Sequence, residues 1–194
     1  HDVLIAAPPE APIVAEASRR GIAVCTLPIR SKRLKGLFSL RRLFKERCPD
    51  VVVTHSSTDS WLAALACLGL AKRLPLVRTR HVSATIPANI ATRWLYARAA
   101  AHVVTTGEAL RLQVMREARL TAGRVSSVPT GIDLDVFRPG DAVAARAKLG
   151  LPEHRFVVGI VATLRSWKGH RFLVEAVAGM KDAGALVVIV GDGP

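Results

Sequence analysis

Val187-Val188-Ile189-Val190 is an uninterrupted run of β-branched apolar residues, and Val51-Val52-Val53 is a second run of the same kind. Strands that are apolar at consecutive positions are buried on both faces, as they are in a parallel sheet covered by helices. Outward from these two runs, short apolar segments alternate along the chain with longer segments of helical period. The alternation predicts an α/β fold with a doubly wound parallel sheet.

The alternation divides the 194 residues into predicted strands and helices. The strands are expected at 3–7, 22–27, 50–54, 76–80, 102–106, 125–128, 156–162 and 186–190. The helices are expected at about 10–20, 34–47, 58–71, 88–100, 107–119, 141–149 and 168–182. Doubly wound sheets bind ligands at the carboxyl ends of their strands, so the residues that follow each strand are the candidates for function.

Residues 129–140 interrupt this alternation, because they show neither a helical nor a strand period and are bracketed by two prolines and two glycines. Such a composition predicts a linker with fixed turns. We therefore expect a first domain at 1–128, a linker at 129–140 and the start of a second domain at 141–194. With roughly 55 residues, the second segment is too short to close a core. We accordingly expect the chain to be a fragment.

The chain is strongly basic, with 28 lysines and arginines, 15 aspartates and glutamates and a formal net charge of +13. The cations concentrate in Arg30–Arg47, where the single acid is Glu46. This density indicates an anionic partner, either nucleic acid, an acidic membrane or a phosphorylated substrate, although a solvated basic face gives the same pattern. Nucleic acid is not the expected partner, because aromatic residues for base stacking are few and no known reader motif occurs.

Two cations follow the strand predicted at 156–162. Arg165 and Lys168 lie between this strand and an amphipathic helix, whose free N–H groups and dipole favour an anion. A planar guanidinium together with a lysine point charge suits a diphosphate. The residues therefore predict a phosphate site, although exposed cations on such a loop are common in any basic protein. Gly191 and Gly193, after the last strand, are a weaker indication of a nearby nucleotide.

Polar residues also follow two strands of the first domain. His81 stands at the carboxyl end of the strand at 76–80, where it can contact a ligand or form a backbone cap. His55 and Ser56 follow the strand at 50–54, in a loop whose simplest role is to cap the next helix through Ser57 or Thr58. Substrate contact by this loop is the alternative.

Several other classes of protein are not indicated. The three cysteines form no close pair and no ligand spacing, so we expect buried free thiols, a reducing compartment and no metal. No apolar run reaches the ~20 residues of a membrane-spanning helix, and no leader precedes the first strand. We therefore expect a cytoplasmic protein. No Ser/His/Asp arrangement and no pair of carboxylates indicates a hydrolase.

Together these segments resemble glycosyltransferase family 4 over essentially the whole chain. Residues 128–133, Val-Pro-Thr-Gly-Ile-Asp, are similar to the family's interdomain Pro-Asn-Gly-Val-Asp segment, with Thr130 in place of Asn. Residues 161–170 resemble the phosphate-binding loop with its Lys-Gly, and 188–194 resemble the following strand and turn. Residues 50–55 and 105–108 resemble further family positions.

The resemblance implies a GT-B fold, in which two Rossmann-like domains enclose the active site. It implies a retaining transferase that requires no metal or other cofactor, uses a nucleotide-sugar as donor and acts on a glycan or lipid-linked acceptor. The donor diphosphate would lie against Arg165 and Lys168. A GT-B-like nucleotide-sugar epimerase is one alternative, and a basic nucleic-acid-binding module, favoured by the charge alone, is the other. The family's glycine-rich loop and paired glutamates lie outside the 194 residues, so we expect the chain alone not to turn over.

The same resemblance assigns the remaining candidate residues. It implies that His81 contacts the donor sugar as a catalytic residue. The further positions are the nucleotide-proximal Gly191 and Gly193, the acceptor-side His55 and Ser56, and the interdomain hinge Thr130 and Gly131.

The basic segment Arg30–Arg47 gains a more specific interpretation from the resemblance. Relatives that act on lipid-linked acceptors dock a cationic, amphipathic surface on the bilayer. This segment carries apolar residues between its cations, namely Leu34, Leu37, Phe38, Leu40, Leu43 and Phe44. We therefore expect peripheral binding to an anionic membrane, at the inner face of the cytoplasmic membrane. Residues 77–83 also resemble bacterial enzymes of surface-polysaccharide or lipopolysaccharide synthesis.

Overall fold

The computed structural model describes residues 1–82, 84–180 and 184–193. The chain divides into two compact units, His1–Gly131 and Ile132–Pro194. The boundary between them lies inside the linker predicted at 129–140. Each unit is an α/β structure in which every paired strand is parallel to its neighbour.

The predicted alternation of strands and helices is present in both units. The strands are β1 (Leu4–Ala7), β2 (Ala23–Thr26), β3 (Val52–Thr54), β4 (Leu76–Arg80), β5 (Ala100–Thr105), β6 (Val125–Ser127), β7 (Val157–Val161) and β8 (Leu186–Val190). The helices are α1 (Pro12–Arg19), α2 (Leu34–Arg47), α3 (Ser57–Cys67), α4 (Ile90–Trp94), α5 (Glu108–Ala118), α6 (Ala142–Lys148) and α7 (His170–Ala178). Helix α4 continues as a π-helical turn over Leu95–Ala99. Positions 181 and 182 of the last predicted helix lie outside the described residues.

The first unit contains two separate parallel sheets. Strands β1 and β2 pair with each other, and β3, β4, β5 and β6 form a second sheet in that order. The sequence predicted parallel strands but not their division into two sheets. The apolar composition of a strand does not indicate which neighbouring strand it pairs with. The β3–β4–β5 order aligns the carboxyl ends of these strands at one edge.

Two apolar clusters hold the first unit together. One is formed by α2, α3 and the strands beneath them, and its most buried members include Leu40, Phe44, Leu62 and Leu76. The other lies between α5, the π-helical turn and the end of the sheet, around Tyr96, Val103 and Val114. These clusters fix β3 and β4 beneath α3, so the loops that follow the two strands begin from a rigid base.

Helix α2 packs closely on the first of these clusters. A Cβ added at Gly36 would lie 2.7 Å from the carbonyl oxygen of Pro28, so glycine permits the close approach of the helix to the loop after β2. Arg41 crosses from α2 to the end of α3 and donates to the carbonyl oxygens of Ala66, at 3.1 Å, and Gly69, at 3.3 Å. A cation there satisfies carbonyls that lack a partner within the helix.

The second unit is a smaller βα structure. Strands β7 and β8 pair in parallel over five residues each, from Val157 opposite Leu186 to Val161 opposite Val190. Among its described residues none is fully buried, and large apolar side chains such as Phe172 and Leu149 stay exposed. The structure of this unit therefore depends on the β7–β8 pairing and on local turns.

Candidate functional site

The loops after β3 and β4 bring two predicted site residues into contact. His55 is the first residue after β3, and His81 is the first residue after β4. The Nδ1 atom of His55 lies 3.1 Å from the Nε2 atom of His81. The ring planes differ by 19° and the centroids lie 5.4 Å apart, so the two rings meet edge to edge through these nitrogens. The carboxyl edge of the first unit thus presents a hydrogen-bonded histidine pair.

The backbone of this loop is held by the start of α3. The carboxylate of Asp59 accepts hydrogen bonds from the N–H groups of His55, at 2.9 Å, and Ser56, at 2.8 Å. The Ser56 hydroxyl in turn accepts from the N–H of Asp59, which completes a capping box. The prediction that Ser57 or Thr58 caps α3 was therefore wrong, because the helix begins one residue earlier than the sequence indicated. Ser56, predicted on the acceptor side, has a structural role as the cap.

Two arginines of β4, the strand that precedes His81, contact a tyrosine, and sequence reasoning missed this group. Arg78 and Arg80 are separated by one residue in β4. The guanidinium of Arg78 lies over the Tyr96 ring, 4.7 Å from its centroid. Arg80 donates to the Tyr96 hydroxyl at 3.0 Å. The Nε and Nη1 atoms of Arg78 are buried and have no hydrogen-bond partner among the described residues. The charged pattern Arg78-Thr79-Arg80 in an otherwise apolar strand was the available signal.

One acid lies near these cations. The Glu117 carboxylate accepts from the N–H of Ile86 at 2.8 Å and from the Gln113 side chain at 3.0 Å. These bonds, with the charges of Arg116 and Arg80, hold the pKa of Glu117 below its usual value. Glu117 thereby anchors the segment between β4 and α4 to helix α5.

In the second unit, the loop after β7 carries the predicted phosphate-binding cations. Arg165 and Lys168 lie at the two ends of a short 3₁₀ turn, and the N–H of Lys168 donates to the carbonyl of Arg165 at 3.0 Å. Gly169, with a φ of +85°, follows the turn and caps α7. Both cationic side chains are exposed, and the Arg165 guanidinium lies 5.8 Å from the Trp167 ring centroid. The loop thus presents two accessible cations before a helix N-terminus.

A shallow cavity of about 280 Å³ lies beside this loop, and the described residues that line it are Leu164, Arg165, Ser166, His170 and Arg171. Lys168 is not among the lining residues. His170 and Arg171 were not predicted, although they occupy the first turn of α7. The Nε2 atom of His170 is buried without a hydrogen-bond partner among the described residues. The structure therefore places Arg165 at the cavity together with two residues that the sequence did not single out.

The two predicted nucleotide-proximal glycines meet the same loop. The N–H of Leu164 donates to the carbonyl of Asp192 at 2.8 Å, which joins the loop after β7 to the turn after β8. Gly191 has a φ of +148°, and a Cβ at this position would lie 2.0 Å from the carbonyl oxygen of Ala162. A Cβ at Gly193 would make only an ordinary contact with Leu164. Gly191 is therefore required by the backbone, whatever binds nearby.

The predicted hinge residues lie at the boundary between the units. Thr130 and Gly131 are exposed, and the first unit ends at Gly131. The segment that follows is turned by Asp133, whose side chain accepts from the N–H of Asp135 at 3.0 Å. A hinge function of Thr130 and Gly131 stays a prediction.

Most of the apolar side of α2 that was expected to dock on a membrane is buried in the protein core. Leu40 and Phe44 are buried in the first apolar cluster, and Leu37 packs against that cluster. The burial corrects the sequence expectation that all six apolar residues of this segment form an outer surface. Leu34, 70% exposed, and Phe38, 63% exposed, are the large apolar side chains of α2 that face solvent.

The cations of Arg30–Arg47 likewise divide into two groups. Arg41 is engaged with the end of α3, and Lys32 lies over the Trp61 ring, 5.7 Å from its centroid. Arg42 pairs with Glu46 at 2.6 Å on the exposed surface. The exposed cations near Leu34 and Phe38 include Arg33 and Lys35. A solvent-facing basic surface therefore remains, but it is smaller than the sequence indicated.

Among the described residues, no group of three or more histidines, cysteines or acids is arranged to hold a metal ion. None of the helices in the described part of the chain has the length and apolar character that crossing a membrane requires. The three cysteines are free thiols, but the expectation that all three are buried was wrong, because Cys48 is exposed and Cys25 and Cys67 are half-buried.

Comparison with known proteins gives consistent results. The sequence profile of Glycosyltransferase Family 4 matches residues 1–136. A D-inositol 3-phosphate glycosyltransferase of Stackebrandtia nassauensis is 32% identical over 146 residues, which cover 68% of this chain and 32% of that protein. The chain thus spans about a third of the length of this curated relative.

Solved structures extend the likeness to nearly the whole chain. A glycosyltransferase from Rickettsia africae superposes with a TM-score of 0.78 at 19% identity, covering 99% of this chain and 52% of that one. The Anabaena protein HepE in complex with UDP superposes with a TM-score of 0.79 at 19% identity, covering 98% of this chain and 53% of that one. The fold is therefore that of the GT-B glycosyltransferases.

Proposed function

The chain belongs to glycosyltransferase family 4, and from this premise we propose that the whole protein transfers a sugar from a nucleotide-activated donor to an acceptor. The observation that carries the proposal is the loop after β7, where Arg165 borders a cavity and Lys168 precedes the N-terminus of α7. Two cations beside a helix N-terminus are suited to the two charges of a donor diphosphate. The HepE structures are complexes with UDP and with UDP-glucose, and these complexes support a nucleotide-sugar donor of this class.

The loop after β7 would act by neutralising charge on the departing nucleotide. As the bond between the sugar and the diphosphate breaks, negative charge accumulates on the terminal phosphate. Fixed cations stabilise this charge more strongly than they stabilise the ground state, and this difference lowers the barrier. Gly191 supports the arrangement, because its backbone conformation holds the turn after β8 against the loop. Gly193 lies in the same turn.

In the first unit, His81 is the proposed contact to the donor sugar. Its ring nitrogen can donate to or accept from a hydroxyl group, and His55 fixes the position of that ring. His55 and Ser56 stand on the proposed acceptor side of the loop. Thr130 and Gly131 supply the proposed hinge between the units.

We also propose the finer features of the reaction. Transfer with retention proceeds at one face of the sugar, where the donor phosphate takes the proton of the attacking acceptor hydroxyl. No metal or other cofactor is required for this step. The acceptor is a glycan or a lipid-linked molecule in bacterial surface-polysaccharide or lipopolysaccharide synthesis. The relative's name indicates a phosphorylated polyol as a further acceptor class, and the cations of the first unit suit one.

The protein would work in the cytoplasm at the inner face of the membrane. The exposed pair Leu34 and Phe38, with Arg33 and Lys35 beside them, supports peripheral contact with anionic lipid. The apolar pair would enter the interface while the cations remain at the headgroups. This surface is confined to the start of α2.

Product analysis of the full-length protein tests the proposed function. The protein is incubated with nucleotide-sugars that carry a ¹³C-labelled sugar, together with glycan, lipid-linked and polyol-phosphate acceptors. A retaining transferase yields a glycoside whose anomeric configuration equals that of the donor, as read from the anomeric coupling constant. An inverted product would contradict retention. An epimerised donor without any glycoside would replace transfer with the epimerase function.

A further inference from the structure

The bond between His55 and His81 joins two residues that sequence analysis assigned to different substrates. His81 is the proposed donor-sugar contact and His55 an acceptor-side residue, yet their ring nitrogens lie 3.1 Å apart. Their ring planes differ by only 19°, so the two rings meet edge to edge through this bond. The contact occupies the Nε2 atom of His81, so the nitrogen of His81 left for a substrate is Nδ1.

The two histidines differ in how firmly the fold holds them. His55 lies between β3 and the capping box of α3, and its N–H is bonded to the Asp59 carboxylate at 2.9 Å. His81 opens the irregular segment between β4 and α4. Within the described part of the chain, the His81 side chain makes its hydrogen bond to His55. We therefore expect His55, whose backbone is anchored to Asp59, to orient the His81 ring.

The chemistry of imidazole gives this contact a second consequence. A neutral imidazole has one nitrogen that donates and one that accepts. If His55 Nδ1 carries the proton, His81 must accept at Nε2 and carry its own proton on Nδ1. If His81 Nε2 carries the proton, its Nδ1 is an acceptor. In both cases the hydrogen bond couples the tautomers of the two rings, so the protonation of His55 decides whether Nδ1 of His81 donates or accepts.

We propose that His55 is a positioning residue, which holds His81 through its Nε2 atom so that Nδ1 of His81 contacts the donor sugar in a tautomer coupled to that of His55. This inference rests on the proposed function, in which His81 contacts that sugar. It reassigns His55 from acceptor binding to support of the donor contact. A merely structural role of His55 would leave the tautomer of His81 unchanged when His55 is replaced.

The test uses three substitutions of His55 that separate the hydrogen bond from the presence of an aromatic ring at this position. His55→Asn places an amide near the position of Nδ1 and retains the bond to His81. His55→Gln places its amide near the position of Nε2 and retains the bond less well. His55→Phe retains an aromatic ring at this position but removes the hydrogen bond. Circular dichroism and the melting temperature of each variant establish that it is folded before the comparison is made.

The first readout does not need activity. In the full-length protein labelled with ¹⁵N-histidine, long-range ¹⁵N–¹H spectra report the tautomer of His81, and a His81→Asn variant assigns its signals. We expect the tautomer populations of His81 in the wild type to be close to those in His55→Asn and to differ from those in His55→Phe. Identical His81 spectra in the wild type and His55→Phe would overturn the proposal, and this result does not depend on whether transfer occurs.

The second readout uses the transfer reaction. His55→Phe should lower kcat for the donor about tenfold, the effect of losing one hydrogen bond that orients a contact group. His55→Asn should recover most of this loss, and His55→Gln should recover less. If His55→Phe instead raised only the KM for the acceptor, His55 would be an acceptor contact and the proposal would fail. Absence of transfer in the wild type would refute the proposed function while leaving the spectroscopic result to decide the coupling.

Discussion

Arg78 and Tyr96 form a buried cation–π pair, with the guanidinium 4.7 Å from the ring centroid. Arg78 is 6% exposed and Tyr96 is 2% exposed, and Arg80 bonds to the hydroxyl of the same tyrosine. Tyr96 thus contacts both arginines of β4, one through its ring and the other through its hydroxyl, where a carboxylate would be the usual partner. The pair links β4, which ends next to His81, to the π-helical turn at 95–99.

Removal of the Tyr96 ring should destabilise the first unit strongly. Tyr96→Ala should lower the free energy of unfolding by about 3–5 kcal/mol. The substitution leaves a cavity and removes the ring that contacts the buried Arg78 guanidinium. Tyr96→Phe retains the ring under Arg78 and loses only the hydroxyl, so it should cost about 1 kcal/mol. Urea unfolding measures both values. Equal effects of the two substitutions would show that the ring itself contributes little.

Removal of the cations after β7 should weaken the stabilisation of the donor phosphate. Lys168→Ala or Arg165→Ala should each cost about 1.5–3 kcal/mol, or roughly a ten- to 150-fold loss in kcat/KM for the donor. Lys148→Ala, which removes an exposed cation at the end of α6, is the matched control. The kcat/KM for the donor is measured for each full-length variant. Wild-type values for both cation variants would exclude binding of the donor phosphate by Arg165 and Lys168.

Substitution of Gly191 should disturb the turn after β8 even without a ligand. Gly191→Ala places a Cβ 2.0 Å from the carbonyl oxygen of Ala162 at a φ of +148°, so the backbone must shift. A conformation of this kind costs a non-glycine residue about 1–3 kcal/mol. Gly140→Ala meets no atom within 4 Å and should have little effect. The melting temperatures of the two variants compare the sites, and similar values would show that the turn relaxes freely.

The lowered pKa of Glu117 predicts how stability changes in acid. Because folding lowers the pKa of this carboxyl, its contribution is fully present above the unfolded value of about 4.3 and is lost as the pH falls through the folded value. Glu117→Gln should therefore be less stable than the wild type at neutral pH. The difference should shrink as the pH falls through the lowered folded value, because the wild-type carboxyl becomes protonated there.

Denaturant midpoints measured across this pH range test the Glu117 prediction. Glu10→Gln is the control, since Glu10 pairs with Arg30 between exposed side chains at 3.3 Å. Exposed pairs of this kind contribute little to stability. A constant difference between Glu117→Gln and the wild type at all pH values would contradict the assigned ionisation.

The exposed side of α2 predicts a specific mode of membrane binding. Substitution of Leu34 and Phe38 by serine should abolish most binding to phosphatidylserine vesicles, since these side chains face solvent. Lys35→Gln should weaken binding by about 1 kcal/mol, and added salt should weaken it further. Leu112→Ser removes an exposed apolar residue from α5 and serves as the control. Binding is measured by co-sedimentation with vesicles. If the serine double variant sedimented as well as the wild type, Leu34 and Phe38 would not form the membrane-binding surface.

Much of the candidate site was visible from local patterns. His81 and Arg165 follow apolar strands whose ends are marked in the sequence, and the rule that ligands bind at such ends selects them directly. Tyr96 and Glu117 carried no comparable signal, because an isolated tyrosine or glutamate on a helix is ordinary in composition. Their contacts with Arg80 and Ile86 join segments 16 and 31 residues apart in the chain.

The same limit explains the correction to α2. The spacing of Leu37, Leu40 and Phe44 identifies an apolar helix side but does not say what covers it. The core of the first unit covers it, and the outward side retains only Leu34 and Phe38. A membrane and a protein core are both apolar, so periodicity alone does not distinguish them.

The sequence by itself determined the order of strands and helices, the linker and the loops that could carry function, because these depend on patterns among neighbouring residues. Tertiary structure alone decided that His55 meets His81, that Arg78 stacks on Tyr96, and that the first unit contains two sheets. These contacts depend on which strands lie side by side. Strand pairing is settled by the packing of helices over the whole sheet, and no local pattern in the chain encodes it.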